Sequence, residues 1–349
     1  MEARARRDWP AADALKSRIE AAGWVVVDRG LASSVRRAAP ASTEVGGEIR
    51  YGSAVDVPSL LDEPASAPWT VVSVASEDPE AMSRLLAALR TGAPAGTQVV
   101  VVANDPSGAQ AAALATGSAD RAPVGGREIE VLTTAARLGH AAASNVALRR
   151  AAGELILLAD GSAWPVGDAL APLAGALADS DVAAAGAFGL VSRDPGRLRP
   201  GALELSSVAE AAALLSGWLA FRRSDYIELG PLDERFLTAA WLDVWLSLRL
   251  RSGAETDSTP GPVRDAEPEA NAEPQAEAGA EPEPEPEALG AGAEPSGGPE
   301  LVLPPPRRAV RLDLPLEGPG PAWPPDRSRL NRRNMYRVLD RFGARRDLF

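Results

Sequence analysis

NVALRRAAGELILLADGSAWP, Asn145 to Pro165, is the stretch on which the fold turns. It reads as a helix, a turn at Gly153-Glu154, a buried apolar strand from Leu155 to Ala159, and then a carboxylate, Asp160. In open α/β sheets the carboxyl ends of the strands are where ligands bind. An acid placed there, followed by the small Gly161 and Ser162, suits a metal-bridged phosphate or a sugar hydroxyl.

Working outward, the same alternation repeats. Thr70 to Ala75 and Gln98 to Ala103 are continuous apolar runs, and Glu128 to Leu132 is a third strand. Helical spacing separates them: Met82, Leu85, Leu86 and Leu89 share one face of a helix over 79–90. Residues 109–116 give a further helix, and 141–152 the helix before the opening strand. Unbroken Val/Ile/Leu strands alternating with helices predict a parallel sheet covered on both faces. Further on come a helix over 168–177, a strand over 182–188, a strand at Gly217–Phe221 and an apolar helix over 238–251. Arg222 to Leu229 reads as a turn into Gly230-Pro231.

Composition narrows the chemistry. The 349 residues contain no cysteine and one histidine, His140, which excludes thiolate metal sites and disulfides and argues against a multi-histidine site or a Ser-His-Asp triad. No apolar run reaches the roughly 18 residues that span a bilayer, and MEARARRDWP lacks a signal-peptide core. The expected location is therefore cytoplasmic. The net charge of −12 is local: residues 253–300 carry thirteen acidic side chains and one basic, and the rest is balanced. That Glu/Pro/Ala/Gly segment cannot bury enough apolar surface to offset its ordering entropy and is expected to be disordered.

Two resemblances follow from the motifs. RRDWPAADALKSRIEAAGWVVVD, residues 6–28, resembles the C-terminal tail motif of cysteinyl-tRNA synthetases, without its T-x-x-G-x-x-W ending. That tail, with the basic helix LNRRNMYRVLDRF, leaves an RNA-associated role as a weak reading; the balanced charge of the rest of the chain argues against nucleic acid. The larger resemblance covers residues 69–251. VVVVANDPS (99–107), GHAAASNVALRRAAGELILLADGS (139–162), GWLAFRRSDYIELGPLDERF (217–236) and LDVWLSLRLR (242–251) fall in the order of a family 2 glycosyltransferase.

That resemblance implies a GT-A, Rossmann-like α/β fold, a mostly parallel sheet with helices on both faces. Around it the expected organisation is a helix–strand unit at 1–33, a linker or cap at 34–68 with a short strand near Ile49–Tyr51, and the transferase-like domain at 69–252. An acidic insert at 253–300 and a C-terminal strand and basic helix at 301–349 complete it. The implied activity is inverting transfer of a sugar from a nucleotide-sugar donor to an unidentified glycan, lipid or protein acceptor. The implied donor contacts are Glu77, Asn104, Asp105, Asn145 and Asp160, and the acceptor contacts Gly217 and Trp218. Asp243, or else Asp233, is the implied base, and Asp160 with Ser162 the implied ligands of a divalent cation, manganese or magnesium. The match is imperfect. Ser162 replaces the second acid of D-x-D, and Leu242 and Trp245 replace the acids flanking Asp243. A catalytically degenerate module that binds nucleotide or glycan, or acts as a scaffold, is the alternative.

Overall fold

The computed structural model describes residues 9–21, 24–29, 32–75, 78–115, 121–194, 203–253, 305–325, 328–343 and 345–348. The acidic insert beyond Gly253 lies outside them, as does Glu77, the expected donor contact. Helix α1 (Trp9–Ala21) is followed by a hairpin of β1 (Trp24–Arg29) and β2 (Ala32–Arg37), paired antiparallel from Trp24↔Arg37 to Arg29↔Ala32. Next come β3 (Thr43–Val45) and β4 (Glu48–Tyr51).

The central alternation then runs β5 (Ala67–Val74), α2 (Pro79–Gly92), β6 (Gln98–Ala103), α3 (Gly108–Ala113), β7 (Glu130–Thr134), α4 (His140–Leu148) and β8 (Gly153–Leu158). After it come β9 (Trp164–Pro165), α5 (Leu170–Leu177), β10 (Val182–Gly186), β11 (Gly189–Ser192), β12 (Leu203–Ser206), β13 (Glu210–Ala211), β14 (Ala213–Leu214) and β15 (Leu219–Arg222). The last elements are α6 (Arg223–Leu229), α7 (Ala239–Ser252), β16 (Arg308–Arg311), β17 (Leu316–Glu317) and α8 (Arg329–Phe342).

Ten strands form one sheet in the order β13-β16-β10-β15-β8-β5-β6-β7-β4-β3. Its heart, β8-β5-β6-β7-β4, is parallel, and β15 runs antiparallel between β8 and β10. This is the α/β class expected. Alternate residues of each strand serve opposite faces. Val72, Val100, Val102, Ile156 and Leu158 pack with Val146, Leu148, Val244, Leu248 and Val338 from α4, α7 and α8. Val71, Val99, Val101 and Leu157 pack on the other side with Leu85, Leu86 and Leu89 of α2 and Leu173 of α5. A sheet so covered on both sides explains why its strands read as unbroken apolar runs. No helix among the described residues is long and apolar enough to cross a membrane.

Three expectations need correcting. The short strand expected near Ile49–Tyr51 is present as β4, but residues 34–68 are more than a linker or cap: β4 joins the main sheet in parallel register with β7 (Tyr51↔Thr134), and β3 pairs on its outer side. These edge strands bury little and so lack the apolar signature of the central ones. Residues 223–229 are a helix rather than a turn; its polar first turn hides Tyr226 and Leu229, which face the core. The chain before Ser34 is also more than a helix and one strand, because β2 begins at Ala32.

The acidic insert leaves and re-enters the fold at neighbouring points. The Arg307 N–H donates to Arg251 O at 2.9 Å, and the Arg251 guanidinium donates to the carbonyls of Arg307, Ala212 and Leu348. Replacing residues 254–304 by a short Gly/Ser linker is therefore expected to leave the fold intact. Shortening the closed loop should stabilise it by about 1 kcal/mol. Thermal unfolding of the shortened chain checks this; loss of the cooperative transition would contradict it.

Candidate functional site

At the carboxyl edge of the sheet a narrow recess is lined by Asp160, Asp243, His140, Ser144 and Ser216, with Val72, Val74, Leu158 and Leu242 as its apolar walls. Asp160 lies two residues past β8. Its Oδ1 accepts the Ser162 N–H at 2.8 Å, a turn that needs Gly161 at φ 80°, a left-handed conformation open to glycine. The Ser162 Oγ is buried and has no hydrogen-bond partner among the described residues.

Asp243 comes from the opposite wall, in the first half of α7, and is 2 % exposed. Its Oδ2 accepts the Ser216 N–H at 2.8 Å, while its Oδ1 is buried without a partner. Burial pushes this carboxyl up to about 8; the Ser216 hydrogen bonds oppose the rise and the charge of Asp160 adds to it. Two carboxyl groups, Asp160 and Asp243, thus line one recess. His140 is the third titratable group. Burial lowers it below its ordinary value, with Asp160 pulling the other way.

The other candidates go elsewhere. Asp233 is gripped by Arg235, whose Nε lies 2.9 Å from both carboxylate oxygens. Burial alone would raise Asp233, but the Arg235 hydrogen bonds and charge outweigh it and hold the carboxyl below its usual range. Asp233 is therefore a counter-ion and a poor base near neutrality. The Asn104 amide is turned onto the protein: it donates to Leu138 O at 3.0 Å and accepts from Leu138 N–H and Thr134 Oγ1. Asp105 stays exposed, at φ 55°, its N–H held by Thr134 Oγ1.

Asn145 is buried inside the fold, not at the recess. Its amide donates to Leu232 O and Glu234 Oε1 and accepts from Leu232 N–H and Tyr226 OH, pinning the loop before α7 onto α4. Asn145→Ala would leave the Leu232 N–H and C=O unpaired in the interior. It is expected to cost roughly 2–4 kcal/mol, measurable by denaturant unfolding; a change within about 0.5 kcal/mol would contradict this role.

Trp218 must also be corrected. Its ring is wholly buried among Ala163, Ala169 and Leu170, and its Nε1–H donates to Ala163 O at 3.1 Å. A ring with no exposed face cannot stack on a sugar. Gly217 is likewise buried, and a Cβ there would lie 2.7 Å from Pro321 Cδ and 3.0 Å from Phe188. Neither residue lines the recess, and both are packed in the interior.

Two parts of the site carry no signal in the residue pattern. The backbone N–H of Ser216 holds Asp243, and backbone donors have no residue signature. The C-terminal chain crosses the loop after β8: β17 pairs with β9, and Gly320 N–H donates to Ser162 O at 3.1 Å.

A hard cation prefers oxygen ligands. The Asp160 carboxylate and the unpartnered Ser162 hydroxyl are of that kind, so the donor set fits a magnesium or manganese ion. No cluster of three or more His, Cys, Asp or Glu side chains that could hold a metal occurs among the described residues. An ion here would take the rest of its shell from substrate phosphate and water, as magnesium commonly does.

The Glycosyl transferase family 2 model matches residues 71–226, a span that contains Asp160 and ends before Asp243. No curated protein matches the chain. Among solved structures, the mannosyltransferase PcManGT from Pyrobaculum calidifontis, in complex with GDP-Man and Mn2+, is 21% identical; 56% of this chain aligns with 55% of that one at a TM-score of 0.41. GalNAc-T7 with UDP, GalNAc and Mn2+ is 14% identical over 55% of this chain and 41% of that one, at 0.41. TarS 1-349 of S. aureus in complex with UDP is 17% identical over 52% and 54%, at 0.39. The chain thus spans about half the length of these proteins, or less.

Proposed function

We propose that residues 69–252 form a family 2 glycosyltransferase domain with a GT-A donor site, which moves a sugar from a nucleoside-diphosphate donor to an acceptor hydroxyl with inversion. The observation that supports this most is the convergence of Asp160 and Asp243 on one recess at the carboxyl edge of a parallel sheet, inside or just beyond the family match.

In this reading Asp160 and Ser162 would hold a divalent cation, which would supply Lewis-acid stabilisation of the departing diphosphate. Asp105, exposed beyond β6, is the side chain left to reach the base or ribose; Asn104 serves by fixing that loop. Asp243 takes the proton of the acceptor hydroxyl as its oxygen attacks the anomeric carbon. The bond from that carbon to the phosphate oxygen breaks on the opposite face, and the nucleoside diphosphate leaves. The unpartnered Oδ1 is the atom that accepts the proton, while Ser216 N–H fixes the carboxyl through Oδ2. Burial raises the basicity of Asp243, as a base working near neutrality requires.

A second reading has one observation of its own. Asp243 is almost fully enclosed, with Leu242 beside it in the recess wall. A degenerate module that binds nucleotide without turnover would tolerate that enclosure. A thermal-shift panel of UDP, GDP and dTDP sugars with manganese tests the donor site common to both readings. At least one donor is expected to raise the unfolding temperature, and to do so less without the cation. No shift with any donor would sink both.

A further inference from the structure

One cluster lies outside the chemistry above but beside it. His140, on the recess wall, donates its backbone N–H to Leu237 O at 3.2 Å. The next residue, Thr238, donates its Oγ1–H to Asn331 Oδ1 at 2.7 Å and accepts from Asn334 Nδ2 at 3.0 Å, so the first turns of α8 are tied to the rim of the recess. Arg337 closes the seam through Nη1, donating to Arg235 O at 3.0 Å and Asn334 Oδ1 at 2.8 Å.

Arg337 is thus tied to the Arg235 backbone, and Arg333 lies one helical turn before Arg337 on α8. Arg235 has a 64 % exposed side chain, Arg333 is exposed, and Arg337 is half-buried between them. Burial first, and then the like charges of Arg235 and Arg333, press the Arg337 guanidinium below its ordinary value; Asp233 is the carboxylate that works the other way. Asp233 is already committed to Arg235, and nearby Glu234 turns toward Asn145. Leu237, 48 % exposed, lies next to the cluster. Guanidinium groups fixed in place, crowded and part-solvated form a site for a phosphate, which takes paired N–H donors from arginine.

We propose that the acceptor carries a phosphate ester, and that Arg235, Arg333 and Arg337 hold that phosphate while its hydroxyl enters the recess toward Asp243. The inference rests on the transferase reading for the word acceptor, and on the seam alone for the anion site. Arg333 is the chief specificity determinant, because its exposed guanidinium makes no hydrogen bond among the described residues, whereas Arg235 and Arg337 are braced.

The test uses the full chain and two probes, decyl phosphate and glycerol phosphate, which separate a lipid-linked from a soluble source. Calorimetry should show at least one of them binding. The Arg333→Ser/Arg337→Ser variant should bind it about tenfold more weakly or worse, the loss of one to two charge-assisted contacts. Arg333→Lys should retain most of the affinity. Affinity for UDP or GDP with manganese should be unchanged. Arg333→Ser alone serves if the double variant fails to fold. Absence of phosphate binding in the wild type, or equal binding by the variants, overturns the proposal. A parallel loss of nucleotide affinity overturns it too, since the cluster would then hold the donor. Phosphate binding without any nucleotide binding in the wild type would remove the transferase reading, and with it the acceptor assignment.

Discussion

Asp243→Asn should abolish sugar transfer and at the same time stabilise the protein. The loss of rate is expected to be about 10²- to 10⁴-fold, the usual contribution of a positioned general base. The gain in stability comes from the same physics. In the metal-free protein the Asp243 carboxyl is pushed up to about 8 by burial, far above its unfolded value. A raised carboxyl means that the folded state holds the proton more tightly than the unfolded one. Its contribution is full below about pH 4 and is lost as pH rises through about 8, at about 1.4 kcal/mol per pH unit.

Asparagine does not titrate and keeps an oxygen for the Ser216 N–H. The advantage of Asp243→Asn should therefore be small near pH 4, grow with pH and level off above about pH 8, reaching up to roughly 5 kcal/mol. Denaturant unfolding at several pH values reads this directly. The rate should show the complementary pattern: turnover by the wild type rises with pH and levels near the pKa of Asp243. An unchanged rate, or a stability difference that does not vary with pH, contradicts the assignment.

The second large effect is expected at Asp160. Asp160→Ala removes the carboxylate of the donor set and leaves the Ser162 N–H without its acceptor. Manganese-dependent nucleotide affinity should fall about 100-fold or more, since two or more charge-assisted contacts are lost together. Removing the charge should also lower Asp243, because Asp160 contributes to its raised value. The rising limb of any residual pH–rate profile should move to lower pH. Asp160→Asn separates the two consequences: it keeps the turn to Ser162 N–H but not the charge. Nucleotide binding with equal strength and equal manganese dependence in Asp160→Ala would remove Asp160 from the site.

The pattern of what could be read in advance has a physical explanation. Gln98–Ala103 matched its strand residue for residue, because six consecutive buried positions leave no ambiguity. Asp160 was legible for the same reason: the apolar run before it ends abruptly. Trp218 was not, since its place in the sequence cannot say which side of the sheet the ring faces, and the side chosen is the interior. The resemblance implied ligand contacts for Asn104, at a strand end, and Asn145, on a helix, but an amide ties down a loop with the same groups it would offer a ligand. The resemblance offered Asp233 as a second base, and nothing in the sequence marks the grip of Arg235 two residues away. The strand near Ile49–Tyr51 was legible, whereas Thr43–Val45 was hidden by exposure and the pairing of β17 with β9 by its two-residue length. The recess itself required α7 to fold back across α4 and the sheet, a contact that local patterns do not encode.

Turnover of the nucleotide-sugar donor by the full chain, with manganese, in the wild type and in Asp243→Asn at pH 8, is the most direct measurement. At least one UDP, GDP or dTDP sugar should be consumed by the wild type, and the variant should consume it at least about 100-fold more slowly while still binding the nucleotide. Equal rates in the two proteins, or binding without turnover in the wild type, would contradict this expectation.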